Sequence, residues 1–286
     1  MPTPPDLFDA DLLAMRRARA ARLGPADFLQ EAVASEIAER LKDVNRSFRA
    51  PAIIGPRAAL WARLLDLPEA RLLPDAAVID LAAGGCDLVV HALALHWSND
   101  PVGQLVQARR ALAPDGLFLG ALFAGETLTE LRQALAQAEA DCLGGLSPRV
   151  APMGEIRDLG GLLQRAGLAL PVADSLRYDV SYGSILALMR DLRAMGETNV
   201  IRDRLRRPMR RDLLVRAAEL YAERFALPDG RLRATFETVV LTGWAPAESQ
   251  PRPLRPGSAT ARLADALDAA IGAPLPADPG AARKPR

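Results

Sequence analysis

A chain of 286 residues, half of them apolar, can bury one α/β core with a smaller appendage but not two large domains. Its 36 Lys and Arg against 35 Asp and Glu leave a formal charge of +1, so no global field favours nucleic acid or anionic lipid, and partners must be argued from local sites. Cys86 and Cys142 form no CxxC pair, no apolar run nears the roughly 20 residues of a membrane span, and Asp6, Asp9 and Asp11 stand where export and transit peptides avoid acids; the expectation is a soluble cytoplasmic protein with no disulfide framework and no targeting segment.

Residues 7–23 mix apolar positions with Arg16, Arg17, Arg19 and Arg22 and stop at Gly24-Pro25, which predicts a short helix with a basic face. Solvent, a phosphate or an acidic partner can satisfy such a face. Leu29, Val33, Ile37 and Leu41 recur every fourth residue and predict a second helix over 27–42, laid on one face of a sheet. These helices make an N-terminal region, residues 1–47, ahead of a main domain over 48–246.

Pro51-Ala52-Ile53-Ile54-Gly55 reads as a buried first strand, followed by a helix over 56–65. The block from 86 to 123 is the clearest: a buried strand at Asp87-Leu88-Val89-Val90, a helix over 101–112, a turn at Ala113-Pro114-Asp115-Gly116, and a second buried strand over 117–123. This is a βαβ unit, which closes right-handed onto a parallel sheet covered by helices on both faces. Helices follow over 127–142 and 155–166. Strands over 172–182 and 234–244 end the sheet, with helices over 184–195 and 211–225 inserted between them as a cap of about 183–228. Residues 247–257 read as a Pro-rich linker, Leu263, Leu267 and Ile271 as one face of a short helix, and the last dozen residues as a tail without a core.

Several strings carry a resemblance. Cys86-Asp87-Leu88-Val89-Val90, then Leu95-His96-Trp97-Ser98-Asn99-Asp100, then Arg110 to Leu119, followed by Gly125-Glu126-Thr127-Leu128-Thr129-Glu130-Leu131, Ser147-Pro148-Arg149-Val150 and Met189 to Asn199, appear in one order along the chain. They resemble the class I S-adenosylmethionine-dependent methyltransferases, in the branch that holds malonyl-carrier-protein methyltransferase and the mitochondrial complex I assembly factor described as an arginine hydroxylase. The resemblance implies a Rossmann-like α/β fold with a mostly parallel sheet, S-adenosylmethionine as cofactor, and a methyl acceptor among small acids, carrier-bound thioesters or protein side chains. It also implies a protein client in a respiratory complex.

The departure from that family is local. Its members hold the cofactor on a glycine-rich turn after strand one, where only glycine lets backbone N–H groups come close to the ligand. Here the turn reads Ile54-Gly55-Pro56-Arg57-Ala58-Ala59; Pro56 has no N–H and a fixed φ. Between Gly55 and Asp87 there is room for about one strand and helix, not two, so the N-terminal half of the sheet is expected to be short of one βα unit. Val78 to Gly85 also looks like a first-strand turn, but as strand one it would leave too few strands before Asp115-Gly116.

Ligands of open parallel sheets bind beyond the carboxyl ends of the strands, which singles out His96, Trp97 and Asp100 as catalytic candidates. Trp97 equally suits a packed corner, and Asp100 the N-cap of a helix starting at Pro101. By resemblance Gly55, Asp75, Ala92 and Leu93 fall to the cofactor side, and Arg149, Arg190, Glu197 and Asn199 to the substrate side. His91 and His96 stand beside no cysteine or carboxylate cluster in sequence, so no metal site is expected. Two functions follow as expectations: a methyltransferase-family protein acting in complex I assembly, or a relative that has lost cofactor binding and works by binding a client.

Overall fold

A computed structural model describes residues 5–250; the linker beyond Gln250, the helix expected around Leu263 and the tail lie outside the described residues. The described elements run in the order α1 (Ala10–Leu23), α2 (Phe28–Val44), β1 (Pro51–Ile54), α3 (Ala58–Leu64), β2 (Arg71–Leu73), β3 (Cys86–His91), α4 (Pro101–Ala111), β4 (Leu112–Ala124), α5 (Thr129–Leu143), α6 (Ile156–Arg165), β5 (Ala169–Tyr182), α7 (Ile185–Met195), α8 (Arg211–Phe225) and β6 (Leu232–Trp244). The strands form one sheet in the order β2-β1-β3-β4-β6-β5. Pairs among β1, β2, β3 and β4 are parallel, and β6 runs antiparallel to both β4 and β5. Five strands therefore point one way and β6 the other.

This is a mostly parallel, Rossmann-like sheet with a shortened N-terminal half. Only β2 lies beyond β1, and it contributes three residues. The two cap helices, α7 and α8, fill the connection between β5 and β6, as the strand spacing predicts.

The apolar runs of β1, β3 and β4 are buried because helices cover both faces of the sheet. On one face Ile37 of α2, Trp61 of α3, Leu131 of α5 and Tyr221 of α8 pack against Ile53, Val90 and Phe236. On the other, Leu105 and Ala108 of α4 and Leu163 of α6 pack against Ile54, Phe118 and Val239. Each large side chain buried this completely contributes roughly 2–3 kcal/mol of transfer free energy. Polar ties fix the layers. Glu130, fully buried on α5, accepts from the backbone N–H of Thr235 at 3.1 Å and from its hydroxyl at 2.6 Å, which sets α5 on β6. The Trp61 indole donates to Gln30 at 2.6 Å and sets α3 against α2.

Candidate functional site

β3 ends at His91, and the chain turns at once: Leu93 takes φ +48°, and a single 3-10 turn, Leu95–Trp97, leads to α4. Asp100 caps that helix, its carboxylate accepting from the Gly103 N–H at 2.7 Å, with Pro101 in the first turn. Asn99 holds the segment before α1 from both sides, accepting from the Phe8 N–H at 2.8 Å and donating to the Phe8 carbonyl at 3.0 Å. Phe8 then meets Trp97 edge to face, with ring centroids 5.1 Å apart.

His96 and Trp97 converge on one carboxylate. The Trp97 indole donates to Glu197 Oε2 at 2.6 Å, and His96 Nε2 lies 3.0 Å from the same oxygen. His96 Nδ1 faces the Phe123 N–H at 3.4 Å and accepts from it, so the ring proton sits on Nε2 and points at Glu197. Burial, the largest influence, raises the Glu197 carboxyl pKa, but the interaction with His96, the charge of Arg17 and the Trp97 donor outweigh it and hold it below the usual value. Sequence reading places these residues about 100 positions apart. The fold brings His96, Trp97 and Glu197 into a tie between the exit of β3 and the loop after α7.

The cofactor side is closed. The Gly55 N–H donates to the Leu73 carbonyl at 2.9 Å and the Ala92 N–H to the Ile54 carbonyl at 2.7 Å, drawing the turns after β1 and β3 together. A Cβ on Gly55 would lie 2.7 Å from the Ala92 carbonyl oxygen, a distance real Cβ atoms essentially never reach. Arg17 reaches in from α1 to pair with Asp75, Arg57 pairs with Asp27, and the Arg17 and Asp75 side chains are only 13% and 16% exposed. Leu93 and Arg17 border the space that is left, a cavity of about 50 Å³. Ligand pockets run to roughly 300–1,000 Å³. With Pro56 lacking the N–H that a cradle needs, the residues here do not fit S-adenosylmethionine.

Behind Asp75 lies a buried polar pair. The Gln104 amide donates to the Ala76 and Ala77 carbonyls at 2.9 and 3.0 Å, holding the segment after β2. His91 beside it is fully buried, and burial pushes its pKa down to about 4 against the opposing pull of Asp75 and Gln104.

A larger cavity, about 700 Å³, opens on the other side of Glu197. Leu128 just before α5, Leu131 of α5, Met189 and Leu192 of α7 and Phe236 of β6 make an apolar floor, and Arg16, Arg19 and Arg22 of α1 with Arg193 of α7 line it as well. Of the substrate-side candidates, Arg149, Glu197 and Asn199 line this cavity, whereas Arg190 sits exposed on α7 outside it. The Arg149 guanidinium is already bound to Glu139 at 2.7 Å; burial raises the Glu139 pKa, but Arg149 and Ser147 bring it below its usual value. Asn199 donates to the Pro148 carbonyl at 2.7 Å and accepts from the Ile201 N–H at 3.0 Å. Among the described residues no group of three or more His, Cys, Asp and Glu is placed to hold a metal ion, and no helix is long and apolar enough to cross a membrane.

Sequence reading missed Phe123 and Phe236, whose tilted rings lie 6.0 Å apart and line the cavity, and the inward turn of Arg17. A signal for Arg17 exists: it stands four residues after Leu13 and three before Ala20, both buried, so it shares the inward face of α1.

No family model matches the chain. It is 35% identical over 263 residues to arginine-hydroxylase NDUFAF5, mitochondrial, of Danio rerio, covering 84% of this chain and 82% of that one. It is 37% identical over 195 residues to the malonyl-[acyl-carrier protein] O-methyltransferase of Laribacter hongkongensis, covering 68% and 63%. Among solved structures, the YcgJ protein of Bacillus subtilis superposes with a TM-score of 0.47 at 11% identity, over 77% of this chain and 99% of that one. The cytoplasmic location expected from the two cysteines and the acidic N-terminus is overturned by these relatives: the NDUFAF5 proteins of Danio rerio and other vertebrates are mitochondrial. Cysteine usage reports only that thiols stay reduced, a condition that more than one compartment meets.

Proposed function

This chain belongs to the family of arginine-hydroxylase NDUFAF5, and from that premise we propose that it assists the assembly of respiratory complex I by binding a client protein, without S-adenosylmethionine. The observation that carries the reading is the sealed cradle: Gly55 in contact range of Ala92, Pro56 without a donor, and Arg17 paired to Asp75 beside a residual space of about 50 Å³. The space beside the turns after β1 and β3 is too small for a ligand of that family's size, and admitting one would require parting the largely buried Arg17–Asp75 pair.

The other half of the site favours binding over turnover as well. Both ring nitrogens of His96 are engaged, one by the Phe123 N–H and one by Glu197, and the His96 side chain is 5% exposed. Such a ring positions the loop after α7 against the sheet and has no free lone pair for a proton in transit.

Isothermal titration of the whole chain with S-adenosylmethionine and, separately, with S-adenosylhomocysteine tests this. No heat of binding is expected with either ligand in the high-micromolar range. A dissociation constant in the low micromolar range for either would overturn the proposal.

A further inference from the structure

We propose that the 700 Å³ cavity beside α1 holds an extended segment of the client in which several acidic side chains are interspersed with large apolar ones. This rests on the reading above that the chain works by binding a protein.

Two features of the lining point to that chemistry. The first is charge. Arg16, Arg19 and Arg22 stand at i, i+3 and i+6 on α1, a row roughly 9 Å long at the helical rise. None of their guanidinium groups, nor that of Arg193 across the cavity, makes a hydrogen bond or salt bridge to a described residue. Burial, Arg204 and Arg193 all weaken the hold of Arg16 on its proton, and Asp9 offsets them only in part. The carboxylate that lines the cavity, Glu197, is committed to His96 and Trp97. In a chain whose formal charge is only +1 this is a local excess of cations that the nearby Asp9 offsets only in part.

The second feature is the apolar lining. Met15, Met153, Met189 and Met209, four of the six methionines, face the same space. Unbranched thioether side chains repack around ligands of differing shape, which suits recognition of apolar side chains on a peptide. A fatty acid presents a single anionic head. A row of three guanidiniums flanked by a fourth matches instead several carboxylates spaced along a backbone, each Arg offering a planar fork to one of them.

The test selects random dodecapeptides displayed on phage against the intact protein at low salt, with sodium oleate as the lipid-like probe. Peptides in which Asp or Glu alternate with Leu, Phe or Met should be enriched. Their synthetic copies should bind about tenfold more weakly when salt is raised from roughly 50 to 300 mM. The triple variant Arg16→Glu, Arg19→Glu, Arg22→Glu should lose those peptides and enrich basic ones; the pair Arg19→Gln, Arg22→Gln, both on exposed positions, should weaken binding about tenfold with an unchanged melting temperature. Enrichment of neutral or basic peptides by the unmodified protein, no enrichment at all, oleate binding in place of peptide, or undiminished acidic-peptide binding by the variants would each overturn the proposal. The outcome is separate from the cofactor titration, which uses S-adenosylmethionine and S-adenosylhomocysteine and no peptide.

Discussion

His91 makes the stability of the fold depend on pH in a window where few other groups titrate. The ring is fully buried at the end of β3 with Asp75, Gln104, His96 and Arg17 around it, and burial pushes its pKa to about 4 from an ordinary 6.5. Below pH 6.5 the unfolded chain takes up a proton on this ring while the folded chain refuses it until about pH 4, so the unfolded state binds more protons and is stabilised relative to the folded one as the pH falls. Stability is therefore full above 6.5 and declines on acidification. The full shift corresponds to about 3 kcal/mol, of which about 2 kcal/mol is lost between pH 7 and pH 5. Glu197 and Glu139, whose carboxyls are held below their ordinary 4.5, add their own losses only further down. Urea unfolding followed by tryptophan fluorescence at pH 7, 6 and 5, on the natural chain and on His91→Leu, measures this. The natural chain should lose about 2 kcal/mol and the variant less than about 0.5 kcal/mol. A flat profile for the natural chain, or an equal slope in the variant, would refute the reasoning.

Two further outcomes follow from the site. Gly55→Ala places a Cβ 2.7 Å from the Ala92 carbonyl oxygen and should cost about 2 kcal/mol or more, read as a drop in the urea midpoint; an unchanged midpoint would show that the turns after β1 and β3 can part. Glu197→Ala strands the Trp97 and His96 donors inside the protein and should cost about 3 kcal/mol, whereas Glu197→Gln, which keeps an acceptor oxygen, should cost about half as much; equal losses would mean that packing alone, not the shared acceptor, holds the cap loop.

The sheet was legible where strands are long and buried. β3 and β4 announce themselves by unbroken apolar runs, and the spacing between Gly55 and Asp87 betrays the missing βα unit. β2 escaped because Arg71-Leu72-Leu73 buries only Leu73, too short for any period. The Asp115-Gly116 turn is real, with Asp115 at φ +61°, but it lies within one strand, Leu112–Ala124, as an irregularity where the register with β3 slips. α5 begins at Thr129 and not at 127 because the Thr127 hydroxyl is tied to β6, donating to the Glu237 carbonyl at 2.7 Å and accepting from its N–H at 2.9 Å. At the site the limit is different in kind. The basic face of α1 was visible and its spacing puts Arg17 on the inward side, but spacing does not tell that the partner is a carboxylate 58 residues away or that the three neighbouring arginines line a cavity. Partners such as Glu197 for Trp97 are a property of the closed chain.

Under the proposal that Arg17, paired to Asp75, fills the space a cofactor would take, folding draws no energy from a metabolite. A ligand-holding fold gains RT ln(1 + [L]/Kd) and so firms or loosens with supply. On that reading the Arg17–Asp75 pair is always in place, so the melting temperature should not rise on addition of S-adenosylmethionine.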